Sequence, residues 1–430
     1  MTESEYRTAA DHVIYLTSCA VRRQIPDARR IGQMNLEQVY EAALFHQLGA
    51  AAGMSLDSAG HATPQFREII AAAQKKTVLL DHDRTVILAR LEQAGIWYMP
   101  LKGVILKDLY PRFGMREMAD NDILIDADRA EEIRNIMTEL GFTVGNYGKG
   151  AHDTYYKKPV SNFEMHRMLF YNSENRQLDS YYSDIKKHLL KDEDRQYGYH
   201  LSNEDFYLYL IAHEYKHFSG GGTGLRSLLD TYVLLHSLPL NWNYVKKEAR
   251  AAGIADFEKQ NRALAQKLFD GEPLSETQKE MLDQFLFDGT YGSRARGIDK
   301  KIARKGRLNY SLYRLFPPRE YMQRAFPSLK KIPFLSSIPL FLYPFLWVVR
   351  LGRGILLSKG TALYEIRFLL NVDSSKKHIS VLQESGSEAN TKTGSQANAK
   401  TGSEAKAGSE AKAGSKPAAK RTGRKSPEGL

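Results

Sequence analysis

The stretch YMPLKGVILKDLYPRFGMREMADNDILID, residues 98–126, read with FEMHR at 163–167, decides the fold. In the first, Asp120 and Asp122 stand at the entry to the apolar run Ile123-Leu124-Ile125. A strand sends residues i and i+2 to one face, so the two carboxylates point the same way and Ile123 and Ile125 point to the other. Two carboxylates on one face can share a cation. Glu164 and His166 repeat the spacing in a second strand candidate, and if the two strands pair, Glu164 completes a three-carboxylate cluster. Carboxylate oxygens suit magnesium, which keeps several waters and binds substrate phosphates. Two such ions, with manganese as a substitute, are the usual apparatus for displacing pyrophosphate from a nucleoside triphosphate.

Upstream, Lys102-Gly103 follows an apolar strand candidate at 96–101 and precedes a helical run at 104–109. A glycine opening a helix leaves backbone N–H groups free for an anion, and the helix dipole adds to the attraction. Lys102 and Gly103 are therefore candidate phosphate holders. Arg112 and Arg116, in the loop before the aspartates, offer further donors to phosphate oxygens. The competing reading is an acidic turn capping a strand, with Glu164 an unrelated surface residue. Asp-x-Asp alone favours that reading, since short acidic pairs are common.

Outward from this core, the texture becomes helical on both sides. Residues 1–95 form an N-terminal helical region, with Val13, Leu16, Cys19 and Ala20, then Leu79, Leu80, Val86, Leu88 and Leu91, at helical spacing. Strand candidates at 96–101, 122–126, 142–144, 154–157 and 162–168 alternate with helices in an α/β core at 96–200, where Asp126 or Asp128 caps a helix that Gly141 ends. A helical region at 201–310 follows, expected to form the other wall of a cleft. A proline-punctuated segment spans 311–375. Within it, Pro333, Pro339 and Pro344 break the apolar run 332–349, which points to a loop and short helices packed on the body rather than a bilayer span. Trp347, Arg350 and Arg353 also allow a peripheral membrane contact through 332–353. From 385 to 430 the chain runs in Gly, Ser, Ala, Glu and Lys near-repeats, which have little to bury and are expected to be disordered.

The 61 Lys and Arg against 50 Asp and Glu give a net charge of +11, which suits a handler of nucleotides, polyanions or an anionic surface, although the tail supplies part of the excess. One cysteine, Cys19, excludes an intrachain disulfide and a cysteine-cluster zinc site. The acidic N-terminal segment reads as a first helix rather than a secretory signal, and the expected location is cytoplasmic. Neither a Walker A loop nor a Rossmann glycine fingerprint is present.

The run Leu101-Lys102-Gly103, Tyr110-Pro111, Arg116-Glu117-Met118-Ala119 and Asp120-Asn121-Asp122-Ile123-Leu124-Ile125, with Glu164-Met165-His166 later, resembles the uncharacterised nucleotidyltransferase family of the DNA polymerase beta superfamily. His213, Lys216-His217, Gly224-Leu225-Arg226 and Leu229-Asp230 are similar to that family's histidine and arginine-aspartate helices. Phe316-Pro317-Pro318-Arg319-Glu320 extends the likeness, which covers most of 35–370. The resemblance implies an α+β fold with a polymerase-beta-like core, a small mixed sheet with helices, flanked by helical regions. It implies Asp120, Asp122 and Glu164 as metal-holding catalytic carboxylates; Lys102, Gly103, Arg116, Lys216 and Arg226 are the nucleotide-binding candidates, with His213 beside Lys216 and Arg226 on the cleft wall. Two departures stand out. The superfamily's usual glycine-serine turn is Lys102-Gly103 here, and Asn121 takes the middle position of the aspartate pair, where apolar residues are common.

Residues 213–217, His-Glu-Tyr-Lys-His, also fit the H-E-x-x-H zinc protease pattern. The extended version needs a histidine at the position of Thr223, and Lys216 sets a cation beside the helix face that would hold zinc. The leading expectation is thus a magnesium-dependent enzyme that moves a nucleoside monophosphate from a triphosphate to an acceptor hydroxyl or phosphate. The acceptor class is a small molecule, a sugar or a protein, without a stable nucleic-acid complex. The alternatives are a catalytically silent nucleotide-binding protein on the same fold and, behind it, an HExxH zinc hydrolase.

Overall fold

The computed structural model describes residues 1–171, 173, 175–288, 302, 306–317 and 343–357, all within one compact unit, Met1–Ile379. The expected disorder at 385–430, the peripheral segment at 332–342 and the family likeness at 318–320 lie outside the described residues.

Five helices open the chain: α1 (Glu3–Val21), α2 (Ala28–Ile31), α3 (Leu36–Phe45), α4 (Gly49–Ser58) and α5 (Pro64–Gln93). Thr2 and Glu5 close a reciprocal capping box on α1, and Pro64 starts α5 at the one turn where its missing N–H costs nothing. At 30 residues, α5 is about 45 Å long and runs behind the sheet.

The α/β part follows as β1 (Tyr98–Pro100), α6 (Gly103–Leu109), β2 (Asn121–Ile125), α7 (Ala130–Glu139), β3 (Thr143–Val144), β4 (His152–Lys157) and β5 (Ser161–His166). They form a five-stranded mixed sheet in the order β1-β2-β5-β4-β3, with β2 and β5 parallel and the other neighbours antiparallel. Beyond it lie α8 (Arg176–Tyr181) and a small hairpin, β6 (Leu189–Lys191) with β7 (Tyr199–Leu201), neither of which the sequence periodicity signalled. A helical set completes the body: α9 (Asn203–Ser219), α10 (Leu225–Ser237), α11 (Trp242–Ala251), α12 (Ala255–Asp270) and α13 (Glu276–Asp288). The α+β expectation holds, with a small mixed sheet set among helices.

The sheet has two chemically different faces, as the period of two requires. Ile123, Ile125, Phe163 and Met165 face one way and pack on Leu80, Ile87 and Leu91 of α5 and on Ile133, Ile136 and Met137 of α7. Each such side chain, fully buried, contributes about 1.5–3 kcal/mol of transfer free energy. Asn121 lies on the same face, where its amide donates to Leu80 O at 3.2 Å and accepts from Arg84 at 2.9 Å. This explains a polar residue where an apolar one is common. The other face carries Asp122, Glu164 and His166.

Of the proline-punctuated segment, the described residues after 342 form a helix, Tyr343–Leu357. Pro344 sits in its first turn, where proline is tolerated, and so does not interrupt it. Among the described residues, no helix is long and apolar enough to cross a membrane.

Candidate metal and nucleotide site

The ladder brings the acidic residues together. Asp122 pairs in register with Glu164, and Leu124 with His166, across the parallel β2–β5 pair. On the far side of β5, His152 pairs with His166 across the antiparallel β4. Three adjacent strands thus present Asp122, Glu164, His166 and His152 on one face, with Asp120 just before β2. Asp122 and His166 are buried, while Asp120 and Glu164 are half-buried and reached by solvent.

Asp122 Oδ1 accepts from Lys102 Nζ at 3.0 Å and meets His166 Nε2 at 2.7 Å. Burial opposes its ionisation, but the Lys102 ammonium and His166 outweigh this and hold the carboxyl well below the usual range. Asp120 behaves oppositely. Burial, then the Asp122 and Glu164 charges, push it up to about 7 against the pull of Lys102 and Arg226. His166 is raised, because its contacts with Asp122 and Glu164 overcome burial. His152 is lowered by burial against the attraction of Glu164.

Lys102 occupies the positive-φ half of backbone space, at φ 46° and ψ −115°. This is a conformation that glycine adopts freely and a residue with a Cβ rarely does. Gly103 is required for a different reason. A Cβ there would lie 2.6 Å from an Arg116 guanidinium nitrogen and 3.3 Å from Met118. Its helix α6 is only seven residues long.

Arg116 is not brought into the cleft. It is buried and pairs bidentately with Asp230 of α10, Nε to Oδ1 at 2.7 Å and NH2 to Oδ2 at 2.9 Å, and Tyr110 also donates to Oδ1 at 2.7 Å. Its Nε and Nη2 serve Asp230 and its Nη1 faces Met118 Sδ at 3.4 Å, a scaffold role beside the phosphate role expected of it. Arg226 stands closer to the acidic group: it donates to Gln47 and to Glu117 O, and its charge bears on Asp120. Sequence reasoning missed Lys76 of α5, a half-buried ammonium. Burial lowers its pKa against Asp120 and Glu117. Helical periodicity gives no sign that a lysine on a long helix turns towards an aspartate far along the chain.

Helix α9 sets a row of side chains near Lys102. Tyr209, His213, Lys216 and His217 follow helical spacing, with the His213 and His217 rings 4.4 Å apart and Lys216 Nζ 5.9 Å from the Phe170 ring. Burial and then the neighbouring cations, Lys102 for one ring and Lys216 for the other, drive His213 far down and His217 to about 4, so both rings are neutral. Burial and Lys102 lower Lys216 too.

The zinc hydrolase alternative fails on this geometry. Glu214, the base that motif needs at the metal, is buried among helices and accepts from Asn261 at 2.8 Å and Thr231 at 3.2 Å. Among the described residues, no third side chain joins His213 and His217 in a metal-ligand cluster. The one cluster there with ligand spacing is His152, Glu164 and His166, whose donor atoms lie within 4.8 Å of one another. Together with Asp120 and Asp122 it gives oxygen and imidazole donors on one solvent-reached face, a set that fits divalent cations.

The chain matches the model of a family described as uncharacterised nucleotidyltransferase over residues 32–270, more than half its length. No curated protein and no solved structure matches it.

Proposed function

This chain belongs to the uncharacterised nucleotidyltransferase family, and from that premise we propose that it moves a nucleoside monophosphate from a triphosphate to an acceptor, using magnesium. The acceptor oxygen, from a hydroxyl or phosphate of a small molecule, a sugar or a protein, bonds to the α-phosphorus. The bond to the bridging oxygen breaks, and pyrophosphate leaves. One observation carries the reading: Asp122 and Glu164 pair in register beside Asp120 on the sheet face opposite the apolar core.

Asp120, Asp122 and Glu164 are the ligand set for the divalent ions, which when bound neutralise phosphate charge and polarise the α-phosphoryl group. Glu164, whose side chain is 22% exposed, orients the acceptor hydroxyl and takes its proton. Lys102 Nζ, now on Asp122, turns to the phosphates as the triphosphate enters. Arg226, Lys76 and Lys216 add positive charge around the polyphosphate, and Gly103 lets the turn approach it. Arg116 acts as a positioning residue, held by Asp230 in the space that a side chain at position 103 would fill.

One observation favours the silent alternative, a nucleotide-binding protein on the same fold: the Lys102 ammonium already neutralises Asp122. Calorimetry with each nucleoside triphosphate, with and without magnesium, and an assay of pyrophosphate release separate the two. Metal-dependent binding and release should both vanish in Asp120→Ala, Asp122→Ala protein that keeps its helical circular dichroism. Losing several kcal/mol of transition-state stabilisation corresponds to roughly a thousandfold in rate. Binding without release would establish the silent protein, and turnover retained by the double variant would sink the transferase reading.

A further inference from the structure

We propose that His152, Glu164 and His166 form a nitrogen-ligated site for a first-row transition-metal ion, which holds the second cation of the cleft in preference to magnesium. The three side chains come from rigid, register-locked strands: His152 and His166 are directly opposed across β4 and β5, and Glu164 points to the same face. Their rings lie 4.9 Å apart.

The spacing separates a metal site from an ordinary hydrogen-bonded cluster. His152 Nε2 is 3.4 Å from Glu164 Oε2, and His166 Nε2 is 3.6 Å from the same oxygen. Both exceed the ~2.7–3.2 Å of a good N–H···O bond. The three donor atoms therefore surround a gap instead of bonding one another across it. Ligands about 2.0–2.1 Å from a tetrahedral ion stand roughly 3.3–3.4 Å apart, close to these separations. Asp122 Oδ1 meets His166 Nε2 at 2.7 Å, an ordinary hydrogen bond that an ion entering the gap replaces, which leaves Asp122 to bridge towards an ion on Asp120. Bridged pairs of this kind, about 3.5–4 Å apart, are the usual two-ion arrangement.

Donor chemistry then selects the ion. Magnesium takes oxygen ligands in near-ideal octahedra and gains little from imidazole, whereas zinc, manganese and their neighbours accept nitrogen readily. Two imidazoles and one or two carboxylates form a borderline ligand set. What the ion does in the cleft rests on the transferase reading, but its binding does not, and the two can be tested apart.

The full chain, stripped with chelator and free of nucleotide, is titrated with Zn2+, Mn2+ and Mg2+ by calorimetry, and the Mn2+ complex is examined by pulsed EPR for imidazole nitrogen couplings. The expected result is binding of Zn2+ and Mn2+ at least about tenfold tighter than Mg2+, with nitrogen couplings present. His152→Ala should weaken Zn2+ by at least about tenfold, since even outer-shell partners of metal ligands cost that much. Asp120→Ala should leave nitrogen coupling in place. The His152 side chain is 34% exposed, so its variant serves as the test where His166→Ala does not fold. Absence of nitrogen coupling, or zinc binding unchanged in His152→Ala, would overturn the site. Nitrogen-coupled metal in a protein that never releases pyrophosphate supports the site and removes the transferase. Magnesium-only turnover without nitrogen coupling does the reverse.

Discussion

Two buried ion pairs in this molecule use nearly the same parts to different ends. Arg116 and Asp230 meet through two parallel hydrogen bonds, with Tyr110 added, so both carboxylate oxygens are engaged and the guanidinium is anchored. Lys102 and Asp122 meet through one, and His166 crowds onto the same Oδ1. Lys102 holds that contact from a backbone conformation suited to glycine. The first pair lies between the turn and α10, and the second faces the cleft. A saturated pair is architecture, whereas a crowded, one-sided pair beside solvent is set up to exchange its cation. The comparison shows that burial and charge alone do not mark a site; unspent coordination does.

The comparison breaks most readily at the saturated end. Arg116→Ala strands Asp230 without its cation and should cost about 3–5 kcal/mol in urea denaturation, while Arg116→Met with Asp230→Leu should recover most of it. If Arg116→Ala loses nucleotide affinity at unchanged stability, the arginine belongs to the cleft after all.

The next effect concerns Asp120, pushed up to about 7 chiefly by burial and then by Asp122 and Glu164. A carboxyl raised in the folded state favours folding while protonated, so its contribution is full below about pH 4 and is lost as pH rises through about 7. Metal-free protein should therefore lose stability across that window, and Asp120→Asn should flatten the profile. Cation binding expels the same proton, so affinity should rise about tenfold per pH unit below 7 and level off above it. A profile flat from pH 5 to 8 would contradict the coupling.

The smallest effect isolates the backbone of the open pair. Lys102→Gly and Lys102→Ala lose the same ammonium, but only alanine keeps a Cβ in a glycine conformation. The glycine variant should be more stable by about 1 kcal/mol, and equal midpoints would show that the turn relaxes.

Much of this was legible in the sequence because it was local. The period of two set Asp122 against Ile123, and again Glu164 against Met165, and the fold follows from pairing those two short runs. The remainder depended on residues distant in sequence. Arg116 reads as a loop cation until Asp230 meets it. His152 lies just ahead of the strand read at 154–157 and carries no signal of its own until the hairpin lays it opposite His166. The H-E-x-x-H spacing does put His213 and His217 on one face. Spacing cannot say that Asn261 and Thr231 draw Glu214 to the other. Nor does a helical pattern separate Lys76, turned towards Asp120, from lysines that face water.

The alternation along β2 and β5 also says where this chain can tolerate a change of length. A single residue inserted within 121–125 or 161–166 reverses the phase of everything beyond it, turning carboxylates into the packed layer and isoleucines towards the cleft. The loop between β3 and β4 carries no such phase: Gly148 and Gly150 sit at positive φ with open space around them. Insertions and deletions should therefore accumulate between 147 and 150, past the Gly145 and Asn146 bonds to Thr154, and be absent from the two strands, so a comparison of homologous lengths can read the register without any structure at all.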